Sequence, residues 1–329
     1  MIEPEAKAHR VLALAMQLGN VAEACRRCGV TRTQFYRYRE MAQRGGGQTK
    51  STALSGAGRT SLRQNLLGKL ALKHPTAGLQ DLTEQVRAET GLPVSYRTIQ
   101  SDLGKLGLGT RRQRWLALEK LYQMSGSLSA EQCGFVERFN PLFAQRASIA
   151  ELPGAHLYQG ILFAGKYGDG KLPLYIHYVL DTSSLYMFGM AHHNKRPDAS
   201  VVLLRQHVMP YFKQLQMPIV QIRTDRSSTF NGRASHLYRL FLTLFRIDHL
   251  MQRSTMTEGY RSAVADGFKT GALQRMHQER RVTLHQIAAA VQEVVREHNA
   301  QPRPGFPNWG DSPQERIQVL TKGATQIAC

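Results

Sequence analysis

Acidic side chains are scarce in this chain. Asp and Glu number 24 against 43 Lys and Arg, a formal charge of +19 over 329 residues. Such an excess repels itself in a compact state unless a polyanion compensates it, so nucleic acid is the first partner to test and a membrane surface the alternative. Long apolar runs are also missing. None approaches the roughly 18–20 residues that cross a bilayer, which excludes a transmembrane helix and leaves no membrane partner to expect. Met1 to Arg10 carries acids where a secretory leader carries cations, so a cytoplasmic location is expected. Only four cysteines occur, which excludes a disulfide framework and fits a reducing compartment. A single close pair exists, Cys25-Arg-Arg-Cys28. Structural zinc needs four ligands and no second Cys pair or spaced His pair stands nearby, so the two thiols read as one helical face turned to a core. His192-His193 reads as a strand-end pair. No Gly-Lys-Ser/Thr phosphate loop and no Gly-x-Ser-x-Gly elbow is present.

What is present is enough apolar residue, 42%, for a sizeable core, in a length that suggests two or three units. Charge is denser at the front: residues 1–114 hold 19 Lys and Arg against 8 Asp and Glu, a net of +11, and residues 115–329 hold 24 against 16. Val11, Leu12, Ala15 and Leu18 recur at helical spacing, Val21–Cys28 forms a short second helix stopped by Gly29, and Thr31 can cap a third over Arg32–Arg44. Three helices with two tight turns and a basic last member form a helix-turn-helix pattern in residues 1–46, with Arg32, Gln34, Arg37 and Arg39 facing DNA. Residues 47–61 read as a flexible linker rich in Gly, Ser and Thr. A second helix-turn-helix follows in 62–114, with helices Leu62–Lys73, Leu79–Thr90 and Ser95–Leu106. Its last helix would present Tyr96, Arg97 and Gln100. The stretch Thr110–Arg114 would follow as a basic arm whose Arg111, Arg112 and Arg114 touch phosphates.

Residues 115–150 read as a helical connector. From there the texture changes: His156–Ala164 and Leu172–Leu180 are β-rich runs around a Gly-rich turn, and Leu185–Ala191 is a third strand. Ala199–Gln214 has helical period, Ile219–Thr224 is a buried strand, and helices fill Ser235–Phe245 and Val282–Asn299. The pattern is an α/β layer domain over 151–320, with 321–329 as a tail.

In their order, several short stretches resemble insertion-sequence transposases of the retroviral-integrase superfamily: Cys25–Tyr36, Val179-Leu-Asp-Thr-Ser-Ser184, Ile222-Arg-Thr-Asp-Arg-Ser-Ser-Thr-Phe230, Arg246-Ile-Asp-His249, Asn299–Pro304 and Ser312-Pro313. The resemblance covers about residues 9–316. It implies an RNase H-like core, a mixed sheet with flanking helices, preceded by two all-α helix-turn-helix modules. It further implies two aspartates and a glutamate that hold two divalent metals for phosphoryl transfer on double-stranded DNA. Against that pattern Gly160 stands at the first aspartate and Asp225 at the second. Ala265 stands at the glutamate, with Val264 or Asp266 as one-residue alternatives. Asp181 matches a further residue of the family outside its triad. The expected protein therefore binds DNA with a vestigial Asp225, no metal site and no cofactor. An active transposase using Mg²⁺ or Mn²⁺ on an unorthodox set, in which Asp181, Asp266 or Glu258 joins Asp225, is the alternative. A transcription regulator or mobile-element accessory factor is a second alternative, and formation of homo-oligomers stays open.

Overall fold

The computed structural model describes residues 4–18, 20–44, 56–167, 172–253, 257–269 and 283–327. The chain divides into two compact units, Met1–Leu62 and Arg63–Cys329.

In the first unit α1 (Pro4–Leu18), α2 (Val21–Cys28) and α3 (Arg32–Arg44) close around Val11, Ala15, Ala24, Cys25 and Phe35. Local chemistry sets the two turns. The Asn20 side chain accepts from the amides of Ala22 and Glu23 and opens α2, while Gly29 at φ +60° closes it in the left-handed region that a side chain would strain. Thr31 and Gln34 exchange side-chain and backbone hydrogen bonds at the start of α3.

Helices also open the second unit, whose boundary at Arg63 falls within the first of them. α4 (Gly56–Lys73), α5 (Leu79–Thr90) and α6 (Tyr96–Lys105) pack on Leu67, Leu82, Val86, Ile99 and Leu103. Residues 56–61 thus belong to a helix, not to the expected linker, whose earlier positions 47–55 lie outside the described residues. A part-buried ion pair joins α6 to α4. Burial alone would raise the Asp102 carboxyl, but Arg63 Nε at 2.8 Å and Gln64 Nε2 at 2.8 Å hold it below its usual value and tie α6 to α4. Ser95 caps α6 by accepting from the Thr98 amide. Ser95→Ala should cost about 1 kcal/mol by chemical denaturation and leave the core transition intact.

Next come α7 (Arg111–Ser125), α8 (Ala130–Phe139) and a 3₁₀ segment, Pro141–Ser148. The expected basic arm is therefore the capped first turn of α7, with Thr110 and Gln113 closing a capping box. Glu119 of α7 is buried and accepts from Asn140 Nδ2 at 2.8 Å and from the Phe306 amide at 2.8 Å, so it fastens the connector to the C-terminal segment.

The sheet holds β1 (His156–Tyr167), β2 (Leu172–Asp181), β3 (Met187–His192), β4 (Gln221–Thr224) and β5 (Asp248–Met251), in the order β3-β2-β1-β4-β5. β1, β2 and β3 run antiparallel, whereas β4 and β5 run parallel to β1. A bent crossover reaches β4: α9 (Pro197–Leu203), a π-helical turn over Leu204–Val208, and α10 (Met209–Gln214). α11 (Leu237–Leu244), α12 (Glu258–Lys269), α13 (Leu284–Ala300) and α14 (Pro313–Ile327) complete the unit. Period-two alternation sorts the two faces. Leu157, Val179 and Ile222 join Leu203, Phe212, Tyr238 and Ile317 on one, and Tyr158, Tyr178 and Leu180 join Tyr260, Val264 and Val291 on the other. This is the RNase H-like α/β architecture preceded by all-α modules. β5 has no strand signature beyond Arg246–His249, because a four-residue edge strand with exposed Asp248 and Leu250 carries no long apolar run. The expected tail is helical to Ile327.

The stretches that carried the resemblance mostly hold the fold. Asp181 is fully buried and accepts from the Gly154 amide, the Ser183 hydroxyl, and the Ser184 amide and hydroxyl. Burial pushes its pKa up against those bonds. Asn299 bonds both the amide and the carbonyl of Met187 and docks α13 on β3. Ser312 and Glu315 cap α14.

Candidate functional site

Three groups of residues were expected to carry function. On α3, Arg32, Gln34, Arg37 and Arg39 are all exposed. Two are engaged within the helix: Gln34 Oε1 accepts from the Thr31 amide at 3.0 Å, and Arg39 lies 5.1 Å from the centroid of the exposed Tyr36 ring. Gln34 thus offers only its amide nitrogen outward, and the Tyr36 ring joins the surface.

On α6, Tyr96, Arg97 and Gln100 are exposed on one side while Ile99 and Leu103 anchor the other. Arg87 of α5 donates twice to the Val94 carbonyl and sits 5.3 Å from the Tyr96 ring centroid, so the turn between the helices is held and a further cation borders the face. Arg111 and Arg112 are exposed at the start of α7. Arg114 is not available to phosphate. It is 5% exposed, and its guanidinium donates to the carbonyls of Leu108, Pro75 and Ala77. Tertiary packing is the reason: the Leu108 turn and the Pro75–Ala77 segment between α4 and α5 cover this side chain, and burial together with the charge of Arg111 lowers its pKa.

The third group surrounds Asp225, which follows β4. It is half-buried, and its Oδ1 accepts from the Ser227 amide at 2.9 Å. Gly160 lies on β1 opposite Tyr178 of β2. A Cβ on Gly160 would stand 2.5 Å from the Tyr178 hydroxyl, so this phenol occupies the space where a side chain at 160 would begin. Tyr158 and Tyr260 stack at 4.9 Å beside it. Burial pushes the phenols of Tyr158 and Tyr178 up, and the charge of Asp225 adds to this, which places Asp225 within electrostatic reach of both. Ala265 lies in the second half of α12, not near its start. It lines a cavity of about 240 Å³ with Tyr178, Glu258 and Arg261. Val264 is core, and the side chain of Asp266 lies outside the described ones. Glu258 is exposed and pairs with Arg261 at 3.6 Å. Among the described residues no three His, Cys, Asp or Glu side chains assemble into a set that could hold a metal ion. The register Gly160↔Tyr178 was invisible in the sequence, which gives alternation within a strand but not which residues face each other across two.

No family model and no curated protein matches this chain. Among solved structures it is similar to the HTLV-2 integrase catalytic core domain in complex with magnesium. The trimeric form is 15% identical with a TM-score of 0.37, over 50% of this chain and 97% of that one. The dimeric form is 14% identical with a TM-score of 0.36, over 50% and 96%. No helix among the described residues is long and apolar enough to cross a membrane.

Proposed function

We propose that this is a DNA-binding protein of the transposase and integrase type whose two helix-turn-helix modules read duplex DNA and whose RNase H-like core has lost its metal chemistry and serves as scaffold. The observation that carries the reading is the Tyr178 hydroxyl seated over Gly160, with Ala265 at the other acid position. One carboxylate cannot hold two hard cations against their hydration, because such sites need several oxygen ligands. The basic faces of α3 and α6 are exposed. Arg97→Ala or Gln100→Ala should weaken binding to a selected duplex by about 1–3 kcal/mol and relax its sequence preference. Arg111→Ala with Arg112→Ala should weaken binding to every sequence alike. The measurement is an electrophoretic shift series over salt. Absence of salt-sensitive binding by the full chain would end this reading.

One observation favours a second reading, an active transposase with a rebuilt site: Glu258 lines the same cavity as Tyr178 and Ala265. A strand-cleavage assay with Mg²⁺ or Mn²⁺ separates the two. Activity abolished by Asp225→Asn would put the enzyme first.

A further inference from the structure

Beyond Asp225 the chain enters a loop whose Ser228 and Thr229 form one wall of a cleft of about 380 Å³. The other wall is the loop after β3, with His193, Lys195 and Arg196, and Tyr175 of β2 lies between them. Neither module nor the Asp225 pocket uses this cleft. Its walls are fixed in place. The Thr229 hydroxyl donates to the Lys195 carbonyl at 2.6 Å, Asn194 Oδ1 accepts from the Arg196 amide at 3.0 Å, and the buried His177 ring meets the Asn194 carbonyl at 3.0 Å. His193 stacks on His192 at 4.4 Å with its ring exposed, and Tyr175 rests on Phe163 at 5.4 Å. Among the described residues no carboxylate lines the cleft, while Lys195 and Arg196 are both exposed cations.

Two cations beside two flat rings, in a space too small for a duplex, match one chemistry: a phosphate with a base attached. Stacking on rings and charge on the backbone are how unpaired strands are held without sequence preference. We infer that this cleft binds one unpaired nucleotide of a DNA strand, with the phosphate on Lys195 and Arg196 and the base against His193 and Tyr175. This rests on the nucleic-acid reading above but needs neither helix-turn-helix module. The test is fluorescence anisotropy of the full chain, at fixed ionic strength, with a blunt duplex, the same duplex bearing a short thymidine overhang, that overhang made abasic, and free oligothymidine. The overhang should bind about tenfold tighter than the blunt end, and the abasic overhang and His193→Ala should each abolish that gain. Lys195→Ala with Arg196→Ala should flatten the salt dependence of oligothymidine binding by about 1.4 in log–log slope. An abasic overhang that binds as well as the thymidine one would overturn the inference, as would inorganic phosphate competing as strongly as oligothymidine. Oligothymidine binding that persists while blunt-duplex binding is absent would sink the module reading and leave the cleft standing.

Discussion

Gly160→Asp, the change that would restore the first acid of the family pattern, should destabilise the core by about 4 kcal/mol or more and create no metal site. Its Cβ would meet the Tyr178 hydroxyl at 2.5 Å and the adjacent ring carbon at 2.6 Å. Tyr178 is 2% exposed and packed in the sheet core with Tyr158, so giving way to the new side chain would cost it that packing. Overpacking costs about 1–3 kcal/mol and an unpaired buried carboxylate adds to it. Tyr178→Ala alone should also be costly through the cavity it leaves, yet combined with Gly160→Asp the two should be strongly non-additive, since each relieves the other's fault. Only with Tyr178 removed should Gly160→Asp and Ala265→Glu yield a protein whose melting temperature rises with Mn²⁺, because a ligand stabilises only a fold that binds it. Equal melting of Gly160→Asp and the parent would refute the packing argument.

Acid should unfold this protein early, through a buried imidazole. His298 of α13 is 4% exposed, with Nε2 bonded to the Leu185 carbonyl at 2.9 Å and Nδ1 accepting from Arg303 at 2.9 Å. Burial, and then the charge of Arg303, lower its pKa to about 3. In the unfolded chain the ring takes a proton near its ordinary value of about 6.5. Between those values the unfolded state binds more protons, so stability is full above about pH 6.5 and falls as the pH drops, by about 1.4 kcal/mol per unit. His249, lowered to about 4 by burial and the charges of Arg239 and His236, acts in the same direction. His298→Gln can donate to Leu185 and accept from Arg303 without titrating. Its melting temperature should therefore fall less steeply from pH 6.5 to 4.5 than that of the parent. Parallel curves would show that His298 is not the source of the acid sensitivity.

The sequence alone determined much of the helical and strand content, since its signals are local. Caps such as Thr31 and Ser95, stops such as Gly29 and Gly91, and two periodicities mark where most elements begin and change type. The resemblance carried by its motifs set Gly160, Asp225 and Ala265 against the three acid positions of the family pattern. It misjudged Arg114, which the distant Pro75–Ala77 segment covers, and it gave no sign of β5, whose four residues pair only by lying beside β4. Only the tertiary structure decided what fills the space beside Gly160. Antiparallel register sets Tyr178 opposite Gly160, and the two are 18 positions apart in a pairing that no local preference specifies. The cleft of His193, Lys195, Arg196 and Ser228 is likewise a product of strand order. β2 and β1 stand between β3 and β4 in the sheet, and the loops that follow β3 and β4 reach over them to meet where the Thr229 hydroxyl donates to the Lys195 carbonyl.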